Sequence, residues 1–238
     1  MLFSFFISVA HCMNTLIGNL PLQSVNEIPV PDGYERIAAA DRSFGAYLRS
    51  IPLKKDKTVY LFNGQKKYNQ SAQFAVLNIP IGTKDLQQCA DAVMRLRAEY
   101  LKQENRPICF ADNAGKNYCW SDYYHRGWQS YLETVFGMCG TLSLEKQLKK
   151  SKWDQLKLGD VIIKGGSPGH AMIILDIARQ KSSGKLIFLL AQSYMPAQDI
   201  HLLLNLNEKS ISPWYSVPSE YLYTPEWTFQ SHHLRTWP

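Results

Sequence analysis

Apolar and polar positions along this chain sort into several strand-like runs and two long helical stripes. TVYLFNG (58–64) carries β-branched and aromatic residues and stops at Asn63-Gly64, a hairpin-type pair, and AQFAVLNI (72–79) is a second run that Pro80 ends. AAADRSFGAYLRSIPL (38–53) reads as a helix: Phe44, Tyr47 and Leu48 share a face, and Pro52 stops it. A longer helix is predicted from Asp85, whose carboxylate can cap the exposed amides with Gln88 three positions on as its capping-box partner. Leu86, Cys89, Val93, Leu96 and Tyr100 then recur at helical spacing, which makes Cys89 one member of a core stripe. ICF (108–110) reads as a short strand holding Cys109.

The second stripe is WQSYLETVFGMCG (128–140). Trp128, Tyr131, Leu132, Val135, Phe136 and Cys139 share a face, and Gly140 sits where a left-handed cap is expected. A shorter helix over 144–150 follows. The most structured stretch is GDVIIKGGSPGHAMIILD (159–176) with LIFLLAQS (186–193) behind it. It predicts a strand over 161–163, a glycine-rich turn, a strand headed by His170, the turn QKSSGK, a strand over 186–191 and another over 200–204. The helix Trp128 to Cys139 is expected to pack on this sheet. PWYSVPSEYLYTPEWTF (213–229) holds too many prolines for a central element and reads as an extended aromatic flap.

Composition narrows the classes. With 238 residues, 45% hydrophobic and 19% charged, the chain has the make-up of a globular protein able to bury a sizeable core. The net charge of +6 suits an anionic surface, yet the lysines are spread and no nucleic-acid fingerprint accompanies them, so a solvated surface is the better reading. Neither metal nor cofactor is expected: no ligand spacing is present, and adjacent His232 and His233 face apart. The five cysteines (12, 89, 109, 119, 139) show no CxxC spacing, and the odd number argues against a fully paired framework unless Cys12 is lost by processing. MLFSFFISVAHC is of signal-core length and too short to span a bilayer. Residues 1–31 are therefore expected to be a signal or anchor segment with linker, and SVAHC loosely matches a lipoprotein box that would lipidate Cys12.

From Trp128 to Ser193 the order of helix, GD-strand, glycine turn, histidine-headed strand and further strand resembles the papain-like core of bacterial cell-wall amidases of the NlpC and CHAP types. The resemblance implies an α+β fold with a papain-like core (108–238), an antiparallel sheet packed on a helix, and an N-terminal α/β extension (32–107). It makes His170, after Gly169, the general base, and Gln192 the residue that orients it. The families' nucleophilic cysteine aligns with Trp128. A thiol must then come from elsewhere: Cys119 precedes the helix and would sit at a helix N-terminus if one began near Trp120, although Gly127 interrupts such a helix. Cys139 lies at the wrong helix end and reads as core, and Ser130 is one turn too deep.

PDGYERI, DLQQCADAVMRLRAEYL, GDVIIKGGSPGHAMIILD, LLAQSYMPAQDIH and TPEW make the whole chain similar to an uncharacterised bacterial envelope family, a domain of unknown function. That similarity implies an exported envelope protein and no particular activity. Together the two resemblances lead to the expectation of a cleft around His170 that binds or hydrolyses an amide-containing cell-wall peptide. Its catalytic residues would be His170, Cys119 and Gln192, and Gly169, Ser193, Tyr194 and Trp128 would hold the substrate. The alternative is a non-catalytic module for peptide or glycan, whose six tryptophans and thirteen tyrosines suit stacking. The membrane would be met only through a lipid anchor.

Overall fold

A computed structural model describes residues 21–238; the expected signal segment and Cys12 lie outside the described residues. Among the described residues, thirteen strands and four principal helices follow in chain order. β1 (Tyr34–Arg36), α1 (Phe44–Ser50), β2 (Gln73–Val76) and α2 (Cys89–Gln103) precede a hairpin of β3 (Cys109–Ala111) and β4 (Asn117–Cys119). A single turn of helix, Trp120–Tyr123, leads to α3 (Trp128–Met138) and α4 (Thr141–Gln147). Then come β5 (Lys149–Lys150), β6 (Val161–Lys164), β7 (His170–Gln180), β8 (Leu186–Gln192), β9 (His201–Leu203), β10 (Tyr215–Ser216), β11 (Tyr221–Tyr223), β12 (Thr228–Gln230) and β13 (Leu234–Thr236).

The main sheet is antiparallel throughout and runs β2-β9-β8-β7-β6-β13-β5, with β1 added beside β7 and β10 beside β8. The α+β character expected from the sequence is observed. The segment 32–107, expected as an extension, is woven into this sheet through β1 and β2 and supplies the helix on one of its faces. That helix is α2, which lies along β7; α3, expected in this place, packs outside α2. The reason is composition. Ala90, Ala92, Val93, Leu96 and Ala98 give α2 a small, smooth face fit for close approach to a sheet, while α3 carries the bulky Trp128, Tyr131 and Phe136.

Strand alternation builds two cores. Val161, Ile163, Ala171, Ile173 and Leu175 face α2, whereas Ile162, Met172 and Ile174 face the C-terminal hairpin β11-β12, which contributes Leu222 and Phe229. The expected flap is this hairpin. β13, not anticipated, sits between β6 and β5. Residues 58–64 form isolated bridges in place of a strand, although the turn at Asn63-Gly64 is present, with Gly64 at φ +81°.

A bulge between Ile174 and Asp176 resets the alternation of β7 and turns Asp176 toward α1. There the wholly buried carboxylate meets Arg36 Nε at 2.6 Å and Arg49 Nη2 at 2.6 Å, and accepts the N–H of Ile177 at 2.8 Å. This cluster ties β1 and α1 to the central strand. Removing its single anion leaves two guanidinium groups crowded at a buried site. Asp176→Ala is expected to cost about 3–5 kcal/mol in chemical denaturation; a loss below about 1 kcal/mol would show that the cluster is not an anchor.

Candidate thiol–imidazole cleft at the end of the sheet

α2 begins three residues later than its hydrophobic stripe suggests. Asp85 does not cap it: its Oδ1 accepts the N–H of Ala197 at 2.6 Å and the side-chain amide of Gln88 at 3.1 Å. The backbone turns at Asp85-Leu86 and is extended at Gln88, the N-cap, and Asp91 Oδ2 reaches back to accept the Gln88 N–H at 2.9 Å. Cys89 is therefore the first residue of a 15-residue helix, where the positive end of the backbone dipole and unpaired N–H groups lie. The earlier start assumed from sequence hid this, because it placed Cys89 in the second turn as core. The deciding contact, Asp85 with Ala197, is more than a hundred residues long.

Cys89 and His170 line one cavity of about 370 Å³, walled also by Tyr194, Trp227 and the turn before β7. The half-buried Cys89 thiol faces the backbone N–H groups of Ala171, Ala90 and Cys89 itself, all of which favour the thiolate. Burial outweighs them, and with the charge of Asp91 it pushes the thiol up to about 11. Ala171 follows His170 directly, so the thiol and the ring are anchored to neighbouring residues of β7. No hydrogen bond joins Sγ to the ring among the described residues. By alternation His170 belongs to the hairpin face and α2 to the other, and they meet around the end of the sheet, where β8 has stopped at Gln192.

His170 is buried, packed by Tyr194, Trp227 and Phe229 with ring centroids at 4.8, 5.1 and 5.9 Å. Its Nε2 meets Gln192 Oε1 at 2.8 Å. Burial pulls the ring down to about 4, against the hydrogen bond from Gln192, so it is neutral at pH 7. Gln192 in turn donates to Glu226 Oε2 at 2.8 Å and lies 3.3 Å from His201 Nε2. His201, which the sequence marks as structural, is wholly buried, its Nδ1 2.8 Å from Asp199 O, and burial holds it down to about 3. Glu226 is paired with Lys67 Nζ at 2.5 Å. Sequence reasoning passed over Cys89, Lys67 and Glu226; only TPEW, among the stretches that carry the family likeness, pointed near the last.

The other expected site residues separate clearly. Cys119 is disulfide-bonded to Cys109, its partner opposite in the β3-β4 hairpin, and has no thiol to offer. Trp128 lies outside the cleft, among Trp120, Tyr131 and Lys102, and donates its indole N–H to Glu99 at 3.0 Å. Ser193 is buried and its hydroxyl bonds Gln87 O and Gln198 O, a loop-fixing role. Tyr194 lines the cavity. Gly169 is needed for space: a Cβ there would lie 2.4 Å from Gly166 O and 2.5 Å from Thr141 Oγ1. The close approach is made by the turn's own carbonyls and by Thr141 at the start of α4.

The cavity wall includes Asp85 and Asp91 and no lysine or arginine, although the chain as a whole carries +6. Asp91 Oδ1 is buried without a partner, and burial raises its acid well above the usual carboxylate range. Among the described residues no group of three or more His, Cys, Asp or Glu side chains converges to hold a metal ion, and no helix is long and apolar enough to cross a membrane.

These features define an α+β protein in which a thiol at a helix N-terminus and a sheet-borne imidazole share one cleft. The model of the family described as Domain of unknown function (4846) matches residues 25–129 and 119–236, and the chain belongs to that family. No curated protein and no solved structure matches it.

The two low histidine values set a pH dependence. In the unfolded chain both rings take up protons near about 6.5, while the folded rings resist until about 4 and 3. Stability is therefore full above pH 6.5 and falls as pH drops through that window, because the unfolded state binds more protons. Asp160, pushed up to about 6 by burial, acts oppositely, losing its contribution as pH rises through that value. The test is accordingly a difference: between pH 7 and 4.5 the Tm of His201→Asn should fall less steeply than that of the wild type, and equal slopes would remove His201 as a cause. Separately, Gly169→Ala should lower Tm and displace the turn, since the methyl group would lie 2.4 Å from the Gly166 carbonyl oxygen and 2.8 Å from that of Lys164.

Proposed function

We propose that this protein is an exported thiol hydrolase that cleaves an amide in a short peptide of cell-wall type, with Cys89 as nucleophile, His170 as base and Gln192 as the residue that orients His170. The observation that carries the reading is that Cys89 opens a 15-residue helix and lines the same cavity as a neutral histidine held by a side-chain amide. The papain-like likeness draws support from the same facts: the order Cys, His, Gln along the chain now has its thiol at Cys89 and no longer needs one at Trp128. The disulfide Cys109–Cys119 agrees with an oxidising compartment and hence with export.

The chemistry follows from the two protonation states. Both groups are neutral, so the thiol proton passes to His170 Nδ1 as Sγ attacks the carbonyl carbon, and no free thiolate is required. The N–H groups at the start of α2 would receive the developing oxyanion. Collapse expels the amine, which takes the proton from His170, and leaves a thioester on Cys89. Water, deprotonated by His170, then releases the acid and restores the thiol. A cavity wall that holds Asp85 and no lysine or arginine favours a neutral or cationic peptide over an anionic one.

A second reading, a binding module without turnover, is favoured by one observation: the thiol sits at about 11 and makes no hydrogen bond to the ring. Mass spectrometry of peptidoglycan fragments incubated with the protein separates the two. New amines are expected, and their rate should fall by at least about 10³-fold in Cys89→Ala and in His170→Ala. Unchanged turnover in Cys89→Ala would end the nucleophile assignment; fragment binding that survives both substitutions, with no amine released by the wild type, would establish the module.

A further inference from the structure

We infer that Glu226, which does not touch the cleft thiol, is a positioning residue that fixes the ring tautomer of His170 by holding the Gln192 side chain one way round. An amide side chain can be turned end for end at little cost unless its neighbours forbid it, and the neighbours of Gln192 do so from two sides. A carboxylate only accepts, so the 2.8 Å contact of Glu226 Oε2 must be met by the NH₂ end of Gln192. His201 gives the same answer through a longer contact, too weak to hold the amide once the Glu226 carboxylate is gone. Its Nδ1 faces the carbonyl of Asp199 at 2.8 Å and must carry the proton there, which leaves Nε2 as an acceptor for the second amide hydrogen at 3.3 Å.

With both amide hydrogens committed, Oε1 is the end that faces His170, and an oxygen at 2.8 Å requires a proton on His170 Nε2. A neutral ring holds one proton, so Nδ1 is left with its lone pair. Reversal of the amide would place an N–H against Nε2 and move the ring proton to Nδ1, removing the base. Elsewhere a wrong histidine tautomer of this kind costs about 10⁴-fold in rate. Glu226 is itself pinned by Lys67 at 2.5 Å and approached by Asn69 Nδ2 at 3.4 Å. It stands in the turn between β11 and β12, beside Trp227, so the C-terminal hairpin both covers the ring and sets its proton.

The catalytic consequence rests on the thiol-hydrolase reading; the tautomer does not, and the test keeps them apart. Long-range ¹H–¹⁵N spectra of the full chain at pH 7.5, with His170 assigned by comparison with His170→Gln, should show its Nε2 protonated and Nδ1 bare. Lys67→Met removes the cation and keeps the carboxylate, so the tautomer is expected to persist. Lys67→Met with Glu226→Leu removes the acceptor without stranding a buried ammonium. It should bring in the Nδ1–H form and lower kcat on peptidoglycan fragments at least tenfold relative to Lys67→Met, with KM little changed. If that variant does not fold, Glu226→Gln, whose own amide can turn either way, is expected to show both tautomers. A wild-type ring protonated on Nδ1, or a tautomer untouched by loss of the Glu226 carboxylate, overturns the inference. A changed tautomer in a protein with no turnover at all sustains it and overturns the hydrolase reading alone.

Discussion

The start of α2 is the constraint on which the cleft depends. Asp91 turns back on the Gln88 N–H while Asp85, a good capping residue by type, is drawn away to Ala197. Were Asp85 to cap the helix, Cys89 would lie a full turn inside it, its N–H groups used up in the helix and its side chain no more than packing. Starting the helix at Cys89 leaves the first-turn N–H groups free beside the sulfur and brings the sulfur to the N–H of Ala171. The same start also buries the thiol. Burial there outweighs the dipole and the three N–H groups, and the balance of these effects is a neutral thiol.

From this placement follows the unusual distribution of the site over the chain. α2 covers one face of the sheet and His170 points to the other, so the two groups can meet only beyond the end of β8. The turn that leads into β7 must then be compact enough to leave the cavity open, which is why no side chain fits at Gly169. The hairpin face must supply its own wall and its own polar partners. Trp227 and Phe229 do the first, Glu226 the second, and Lys67, from far earlier in the chain, neutralises Glu226. No contiguous half of the chain contains a complete cleft.

Much of the sheet was legible because its strands are long apolar runs with distinct punctuation. GDVII, the glycine turn, His170 and the strand ending at Gln192 were read in their right order, and proline density marked the tail as peripheral. What could not be read was decided by contacts distant in sequence. The helix start turns on Asp85 with Ala197. The fate of Cys119 turns on a hairpin register that sets it opposite Cys109, and an odd count of five cysteines gives no hint of that pairing. The Trp128 stripe reads as sheet-facing by periodicity, yet periodicity does not say which of two apolar helices is smooth enough to lie on the strand. Lys67 and Glu226 are ordinary surface residue types that tertiary structure has drawn inward.

The chain Asp199, His201, Gln192, His170 also explains why an amide and not a carboxylate stands beside the ring. A carboxylate at 192 would lie against Glu226 and face a lone pair on His201, two repulsive contacts in a buried place. An amide offers two hydrogens to those acceptors and an oxygen to the ring, so all three neighbours are satisfied with no net charge. The cost is that a neutral partner stabilises an imidazolium less than an anion would, and with the ring down at about 4 a standing thiolate–imidazolium pair is disfavoured. Under the proposed hydrolysis, the charge that such a site needs would arise only when substrate supplies an oxyanion at the helix N-terminus, so proton transfer from Cys89 to His170 would accompany attack and not precede it.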